Sequence, residues 1–307
     1  MTKAVLIAGP TASGKSALAI ALAQRFNGVV INADSMQVYA DLRIITARPS
    51  PEEEASAPHR LFGHVDGGTN HSVARHVADI GALLPTFSES GQLPIIVGGT
   101  GMYFRALSEG LSDIPVVPDA VRDEVRAFCL TRDAPTLHAE LTRLDPVTAA
   151  ALRPSDRLRI MRALEVHAAT GQSLHSFHGA RQPGPLADFQ LVRLFLAPER
   201  ELVRARIDQR FVQMMQRGAL DEVKALAARN LDPLLPVMRA HGVPWLITYL
   251  AGEMTLDNAI MRGQGDTRAY AKRQMTWFRN QMAGWQAITP EEALDASQKA
   301  VGSLLEG

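Results

Sequence analysis

Gly9-Pro10-Thr11-Ala12-Ser13-Gly14-Lys15-Ser16 satisfies the G-x-x-x-x-G-K-[ST] phosphate-loop (P-loop) pattern without a mismatch. Its flanks supply the setting that such a loop needs. Ala4-Val5-Leu6-Ile7-Ala8 reads as a short buried strand, and Leu18, Leu22 and Phe26 recur at four-residue spacing as one face of a helix. In a strand–loop–helix unit the glycines let backbone N–H groups curl around phosphate oxygens. The helix N-terminus adds partial positive charge and Lys15 a full one. Gly9, Thr11, Ala12, Ser13, Gly14, Lys15 and Ser16 are therefore expected to hold a phosphate chain, with the Ser16 hydroxyl placed to ligate a magnesium ion. The loop alone does not say which phosphate compound it holds.

Further apolar runs read as strands: Val29-Val30-Ile31-Asn32-Ala33, Leu93-Pro94-Ile95-Ile96-Val97 and Gln190-Leu191-Val192-Arg193-Leu194-Phe195-Leu196. Continuous apolar strands separated by helical stretches indicate a parallel sheet covered on both faces, in which ligands collect at the carboxyl ends of the strands. Three such ends carry functional-looking turns: Gly9 to Ser16, Asp34-Ser35-Met36-Gln37, and Gly98-Gly99-Thr100-Gly101. They should face one crevice. The stretch containing Pro49, Pro51 and Glu52-Glu53-Glu54 reads as loop.

Between Pro118 and Pro185 strands give way to helical patterns over Ala120 to Leu130, Thr136 to Leu144 and Ser155 to Thr170, with Gly171 placed to stop the last. The expected fold is α/β: a P-loop NTPase-like parallel sheet flanked by helices, formed by residues 1–117 and 186–307, with a helical insertion domain over 118–185.

Charge gives no global signal, because Lys+Arg and Asp+Glu both number 32. Local basic faces can hide in a zero sum. Between Arg153 and Arg181 in the insert, Arg153, Arg157, Arg159, Arg162 and Arg181 oppose only Asp156 and Glu165; Arg206 and Arg210 share a helix face; and Arg268, Lys272 and Arg279 flank an apolar stripe of Ala271, Met275, Phe278 and Met282. A solvated face is the ordinary explanation of any one cluster, but three around a phosphate loop favour a polyanion such as RNA. Cys129 is the only cysteine, which excludes an internal disulfide and any zinc site built on several cysteines. With Met1-Thr2-Lys3 leading directly into the first strand and no apolar run of membrane-spanning length, a soluble cytoplasmic protein is expected.

A carboxylate at a strand end facing a phosphate loop has three ordinary uses: magnesium ligand through water, general base, or cap for the next helix. Asp34 is open to all three. Thr100 belongs either to a tight turn or to a hydroxyl contact with ligand. The nine histidines include no His-Glu-x-x-His array, and His175 and His178 lack further ligand candidates nearby; they read as structural or surface residues.

The phosphate loop, Asp34-Ser35-Met36-Gln37-Val38-Tyr39, Thr46-Ala47-Arg48-Pro49, Pro58-His59-Arg60-Leu61, Val97-Gly98-Gly99-Thr100-Gly101-Met102-Tyr103, Arg162-Ala163-Leu164-Glu165-Val166 and Ala271-Lys272-Arg273-Gln274-Met275-Thr276-Trp277-Phe278-Arg279 together resemble the tRNA dimethylallyltransferase (tRNA isopentenyltransferase) family, in the family's order and over nearly the whole chain. The resemblance implies transfer of a dimethylallyl group from dimethylallyl diphosphate to the exocyclic N6 amine of the adenosine adjoining the anticodon. The loop would then hold an isoprenoid diphosphate rather than the tail of ATP. It also implies Asp34 as proton acceptor, Thr11 and Thr100 as positioning groups, and Arg210 as the arginine on the diphosphate, with Arg206 as a substitute. For the tRNA anticodon stem-loop it implies contacts from Asp34, Ser35, Met36, Gln37, Thr100, Arg122, Leu158, Arg159, Ile160, Met161 and Arg162. The insert would clamp the loop, Arg159 and Arg162 would grip backbone phosphates, and the target base would leave its stack.

Two segments depart from the family pattern. Ile45 and Arg48 stand where many relatives have glycine and lysine, and Arg239-Ala240-His241-Gly242-Val243 stands where many have an Ala-Ile-Gly-Tyr-like run. The rival readings are a nucleotide or small-molecule kinase using ATP and a non-catalytic RNA-binding module. Nothing in the reading requires more than a monomer.

Overall fold

The computed structural model describes residues 2–179 and 181–306. β1 (Lys3–Ala8) is buried from Ala4 onward and runs into α1 (Lys15–Arg25). There follow β2 (Gly28–Asn32), α2 (Pro51–Ser56), β3 (His59–Arg60), α3 (Val73–Ser90), β4 (Leu93–Gly98) and α4 (Gly101–Glu109). β5 (Leu111–Ser112), α5 (Asp119–Leu130), α6 (Ala134–Leu144), α7 (Pro146–Ala151), α8 (Arg157–Thr170) and β6 (Arg181–Gln182) come next. The chain ends with β7 (Gln190–Leu196), α9 (Arg200–Gln216), α10 (Ala219–Ala228), α11 (Val243–Leu250), α12 (Leu256–Gln281), β8 (Gln286–Ile288) and α13 (Ala293–Glu306).

Six strands form one parallel sheet in the order β3-β2-β4-β1-β7-β8. Alternation along the strands divides the apolar side chains between two faces. Val5 and Ile7 pack with Leu18 and Leu22 of α1 and Val301 of α13; Leu6 and Ala8 pack with Ile80 of α3, Phe104 of α4 and Phe278 of α12. The expected sheet, covered on both faces, is the observed one. A third apolar cluster joins Tyr39 and Leu42 to Phe211, Val223 and Leu246 from α9, α10 and α11.

The stretch read as loop around Pro51 is the helix α2. Ser50 accepts the Glu53 N–H, and the Glu53 carboxylate accepts the Ser50 N–H at 2.8 Å, forming a capping box with proline at the first helical position. Ser-Pro-Glu-Glu carries that signal, which the prolines and the run of acids obscure.

The chain divides into two compact units, residues 1–108 with 185–307, and Glu109–Gly184. The second therefore begins earlier than residue 118, because β5 and β6 pair antiparallel, Leu111 opposite Gln182, and close its base. Its helices follow the expected patterns, and Gly171 ends α8 with a left-handed φ of 68°. The additional helix α7 is started by Asp145, whose carboxylate accepts from Thr148 N, Ser173 Oγ and Leu174 N. Cys129, Leu137, Leu141, Ile160 and Leu164 fill this unit's own core.

Candidate active site at the strand ends

β1, β4 and β2 are neighbours in the sheet, so the turns after them emerge side by side. They are joined by specific bonds. Ser35 N donates to Thr100 Oγ1 at 3.0 Å, and Thr100 N donates to the Ala33 carbonyl at 3.3 Å. Gln274, on α12 and 5% exposed, accepts the Thr11 N–H at 3.0 Å and donates to the Gly99 carbonyl at 2.8 Å. Gly99 and Gly101 are dictated by close approach. A Cβ on Gly99 would lie 2.0 Å from Gln274 Nε2, and one on Gly101 would lie 2.1 Å from the Trp277 ring.

Asp34 is fixed by two local devices. Its N–H donates to Asn32 Oδ1 at 2.8 Å, and its Oδ1 accepts the Met36 N–H at 2.9 Å. The carboxylate thus caps its own turn, and it also lines a cavity with Thr11 and Arg210. Arg210 donates to the Thr11 hydroxyl. The same cavity has an apolar wall formed by Ile45, Ile207, Phe211 and Met214, and Tyr270 and His241 also line it. A second cavity contains Ala12 to Ala17 of the phosphate loop together with Arg48, Arg217, Glu52 and Glu53, and Arg210 lines this one too. One guanidinium therefore borders both the phosphate loop and the carboxylate cavity. Arg206, one turn earlier on α9, is exposed.

The electrostatics follow from enclosure. Lys15 is half-buried as a residue, but its ammonium is enclosed, and desolvation lowers its pKa to about 8; Asp34 works in the opposite direction and Arg210 in the same. Its Nζ donates to the Pro10 carbonyl at 3.2 Å. Arg210 is likewise pushed down by burial and supported by Asp34. Burial, then the Asp34 charge, raises the Tyr270 phenol, leaving a neutral hydroxyl toward Thr100 and Gln274. Burial, then Arg273, lowers His241, whose ring lies 4.5 Å from that of Tyr270. Ser13 Oγ is buried in the loop without a partner, as expected of a hydroxyl that awaits a ligand. Ser16, Glu52 and Glu53 line the same cavity, and their oxygens are hard donors of the kind that suits Mg2+.

The departing segments have visible structural uses. Ile45 is a buried member of the cavity wall, and its N–H is held by Glu222, whose carboxylate also accepts from Arg43 N and Ile44 N. Arg48 donates to the Tyr39 carbonyl at 3.0 Å and packs over Gly63. His241 stands at the cavity between Tyr270 and the Gly242 turn, where φ is 93°. His241, Tyr270 and Gln274 are site residues that sequence reasoning missed; a glutamine among the apolar positions of α12 was the available hint.

Gln37 spends its side-chain amide on the Thr46 and Ala47 carbonyls, while Met36 lines the cavity. In the second unit, Leu158 and Arg159 are exposed and Arg162 is partly exposed on α8, whereas Ile160 and Met161 are buried. The side chains of Ile160 and Met161 belong to the unit's core, because helical spacing turns them inward. Arg159 and Arg162 are steadied by Asp156 at 3.5 Å and Glu165 at 3.4 Å, and Arg122 bonds Asp119 and the Val117 carbonyl. Basic residues of α9 and α12 meet along one groove, where Arg200 and Arg204 face Arg268, Lys272 and Arg279. Among the described residues no helix is long and apolar enough to cross a membrane.

Comparison with known proteins agrees with this geometry. The chain is 63% identical over 292 residues to a tRNA dimethylallyltransferase of Methylobacterium nodulans, covering 95% of this chain and 96% of the relative. It is 56% identical to one from Azorhizobium caulinodans, with 95% and 94% covered. A tRNA isopentenylpyrophosphate transferase structure from Bacillus halodurans superposes with a TM-score of 0.71 at 35% identity, over 100% of this chain and 98% of that one. A eukaryotic dimethylallyltransferase acting on tRNA superposes with a TM-score of 0.79 at 29% identity, over 98% and 78%. Residues 2–64 match the isopentenyl transferase family description, and residues 37–281 match that of IPP transferase. The chain belongs to the IPP transferase family.

Proposed function

We infer that this protein transfers a dimethylallyl group from dimethylallyl diphosphate to the N6 amine of the adenosine adjoining the anticodon in tRNA, releasing diphosphate. The observation that carries this reading is Arg210, which borders the phosphate loop on one side and the Asp34 cavity with its apolar wall on the other. A diphosphate in the loop would place a short branched hydrocarbon against Ile207, Phe211 and Met214, with Asp34 across from it.

In the proposed reaction the allylic carbon–oxygen bond breaks as the carbon–nitrogen bond forms. The electron pair leaves with diphosphate, and the amine proton passes to the Asp34 carboxylate. Backbone N–H groups of the loop, Lys15 and Arg210 stabilise the growing negative charge. The carbon tolerates developing positive charge, so alignment is the main remaining need. Thr11 holds Arg210 toward the leaving group, and Thr100 holds the Ser35 turn that carries Asp34. Ser16 and the diphosphate oxygens would hold Mg2+, which would neutralise leaving-group charge.

Leu158, Arg159, Arg162 and Arg122 are the side chains of the helical unit offered to the anticodon arm, with Ser35, Met36 and Gln37 contributing from the β2 turn. A tRNA substrate places the reaction in the cytoplasm, and its chemistry needs one chain. The test is to supply radiolabelled dimethylallyl diphosphate, ATP and unmodified tRNA in turn. Label moving from the isoprenoid to tRNA supports the assignment. ATP consumption without prenyl transfer points instead to a kinase.

A further inference from the structure

We propose that His64, His71 and Asp79 form a zinc-class transition-metal site, separate from the phosphate loop. The three donate one atom each, and these atoms all lie within 4.8 Å of one another. His64 Nε2 is 3.3 Å and His71 Nε2 is 3.6 Å from the same carboxylate oxygen, Asp79 Oδ2. Ligands about 2.0–2.1 Å from a tetrahedral zinc ion stand roughly 3.3–3.4 Å apart, so the two distances to Asp79 are already close to that spacing, and the imidazole nitrogens, within 4.8 Å of each other, would draw together around the ion. Two imidazoles and one carboxylate are a donor set that suits zinc and leaves a fourth position for water, whereas Mg2+ avoids imidazole.

The cluster is built into the fold. His71 has a side chain only 3% exposed, and its Nε2, the atom aimed at Asp79, has no hydrogen-bond partner. A buried imidazole nitrogen without a partner costs free energy unless something satisfies it. Burial also lowers the His71 pKa, with Asp79 opposing and His64 and Arg75 assisting, so the ring is neutral and its lone pair is available. His64 and Asp79 are more exposed, which opens the position to solvent and to an entering ion.

The three residues come from different segments. His64 follows β3, His71 precedes α3, and Asp79 lies on the second turn of α3. A bound ion would therefore pin the β3–α3 connection to the helix. Behind it, the His71 ring touches His76 at 5.6 Å, and His76 Nε2 is 2.9 Å from the Asn32 carbonyl. Asn32 in turn accepts the Asp34 N–H. The site would thus stiffen the support of β2, as a structural element rather than a participant in transfer.

The test uses the full chain stripped with a chelator and then dialysed against Zn2+, with excess Mg2+ in a parallel arm. Expected are about one Zn2+ per chain, retention in the presence of Mg2+, a rise in melting temperature, and the visible absorption of low-coordinate Co2+ on substitution. His64→Ala lies at the surface and should fold normally. It and Asp79→Asn should each weaken Zn2+ binding by at least tenfold and abolish the melting shift, while His64→Ala keeps its prenyl transfer in zinc-free buffer containing Mg2+. Absence of stoichiometric Zn2+, or equal binding in both variants, overturns the proposal.

Discussion

Gln274 accepts the Thr11 N–H through its side-chain oxygen and donates through its nitrogen to the Gly99 carbonyl, so one buried amide joins the phosphate loop to the turn that carries Thr100. Both partners lie more than 170 residues away in sequence, at separations of 263 and 175. The register of two active-site turns is therefore set by the distant helix α12 rather than by the turns themselves.

Replacing Gln274 with Leu would leave a buried N–H and a buried carbonyl unpaired, at a cost of about 1–3 kcal/mol for each group. Chemical denaturation should show that loss, and diphosphate affinity should fall with it because Thr11 and Arg210 lose their placement. Gln274→Glu keeps the acceptor but not the donor, and it adds a buried charge, so it should be no better than Leu. A Leu variant with wild-type stability would remove Gln274 from the account.

Glu222 on α10 gathers the N–H groups of Arg43, Ile44 and Ile45 at 2.8 to 3.1 Å and so shapes the loop that contributes Ile45 to the apolar wall. Glu222→Ala is expected to destabilise by about 2–3 kcal/mol, since hydrogen bonds to a charged group contribute roughly 1.5–3 kcal/mol. Glu222→Gln retains one oxygen acceptor and should recover part of the loss. Limited proteolysis near Arg43 reads the loop directly, and faster cleavage is expected in the Ala variant.

Much of this arrangement was legible from the residues. β1, β2, β4 and β7 announce themselves as apolar runs, and the three glycine- or aspartate-bearing turns lie at their ends as expected. What could not be read was which distant side chains close the site. Gln274 and Tyr270 are polar positions on a long helix, and only the packing of α12 shows that they face the strand ends rather than solvent. His241 falls where the family pattern breaks, so no motif pointed to it. The helix α2 was hidden by prolines although its capping box was written in Ser50 and Glu53. Ile160 and Met161 sit within a motif, yet helical geometry turns them into the core.

The Lys15 ammonium gives a pH dependence of defined sign. Its folded pKa of about 8 lies below the ordinary lysine value of 10.5, so between these values the unfolded chain binds more protons than the folded one. Stability of the ligand-free protein should therefore rise as pH increases from about 8 toward 10.5, and it should lack this contribution below pH 8. Lys15→Met removes the titrating group, so the stability gap between variant and parent should narrow over that window. Urea melts at successive pH values measure it, and a gap that widens above pH 8 contradicts the burial argument.

Asp34→Asn separates chemistry from structure. The Asn oxygen can still accept the Met36 N–H, so the turn persists, but the group can no longer take a proton. Transfer should fall by about 10²–10⁴-fold, the usual contribution of a positioned acid or base. Equilibrium binding of diphosphate and of tRNA should change little. An Asn variant with parental single-turnover rates would mean that another group accepts the proton.

The central claim, that an isoprenoid group is moved onto one base of tRNA, is tested most directly by nucleoside mass spectrometry of unmodified tRNA after incubation with the protein and dimethylallyl diphosphate. The account predicts the gain of a single C5H8 unit on the adenosine adjoining the anticodon, present with the parent protein and lost with Asp34→Asn. An unmodified tRNA, or a gain at any other nucleoside, would contradict it.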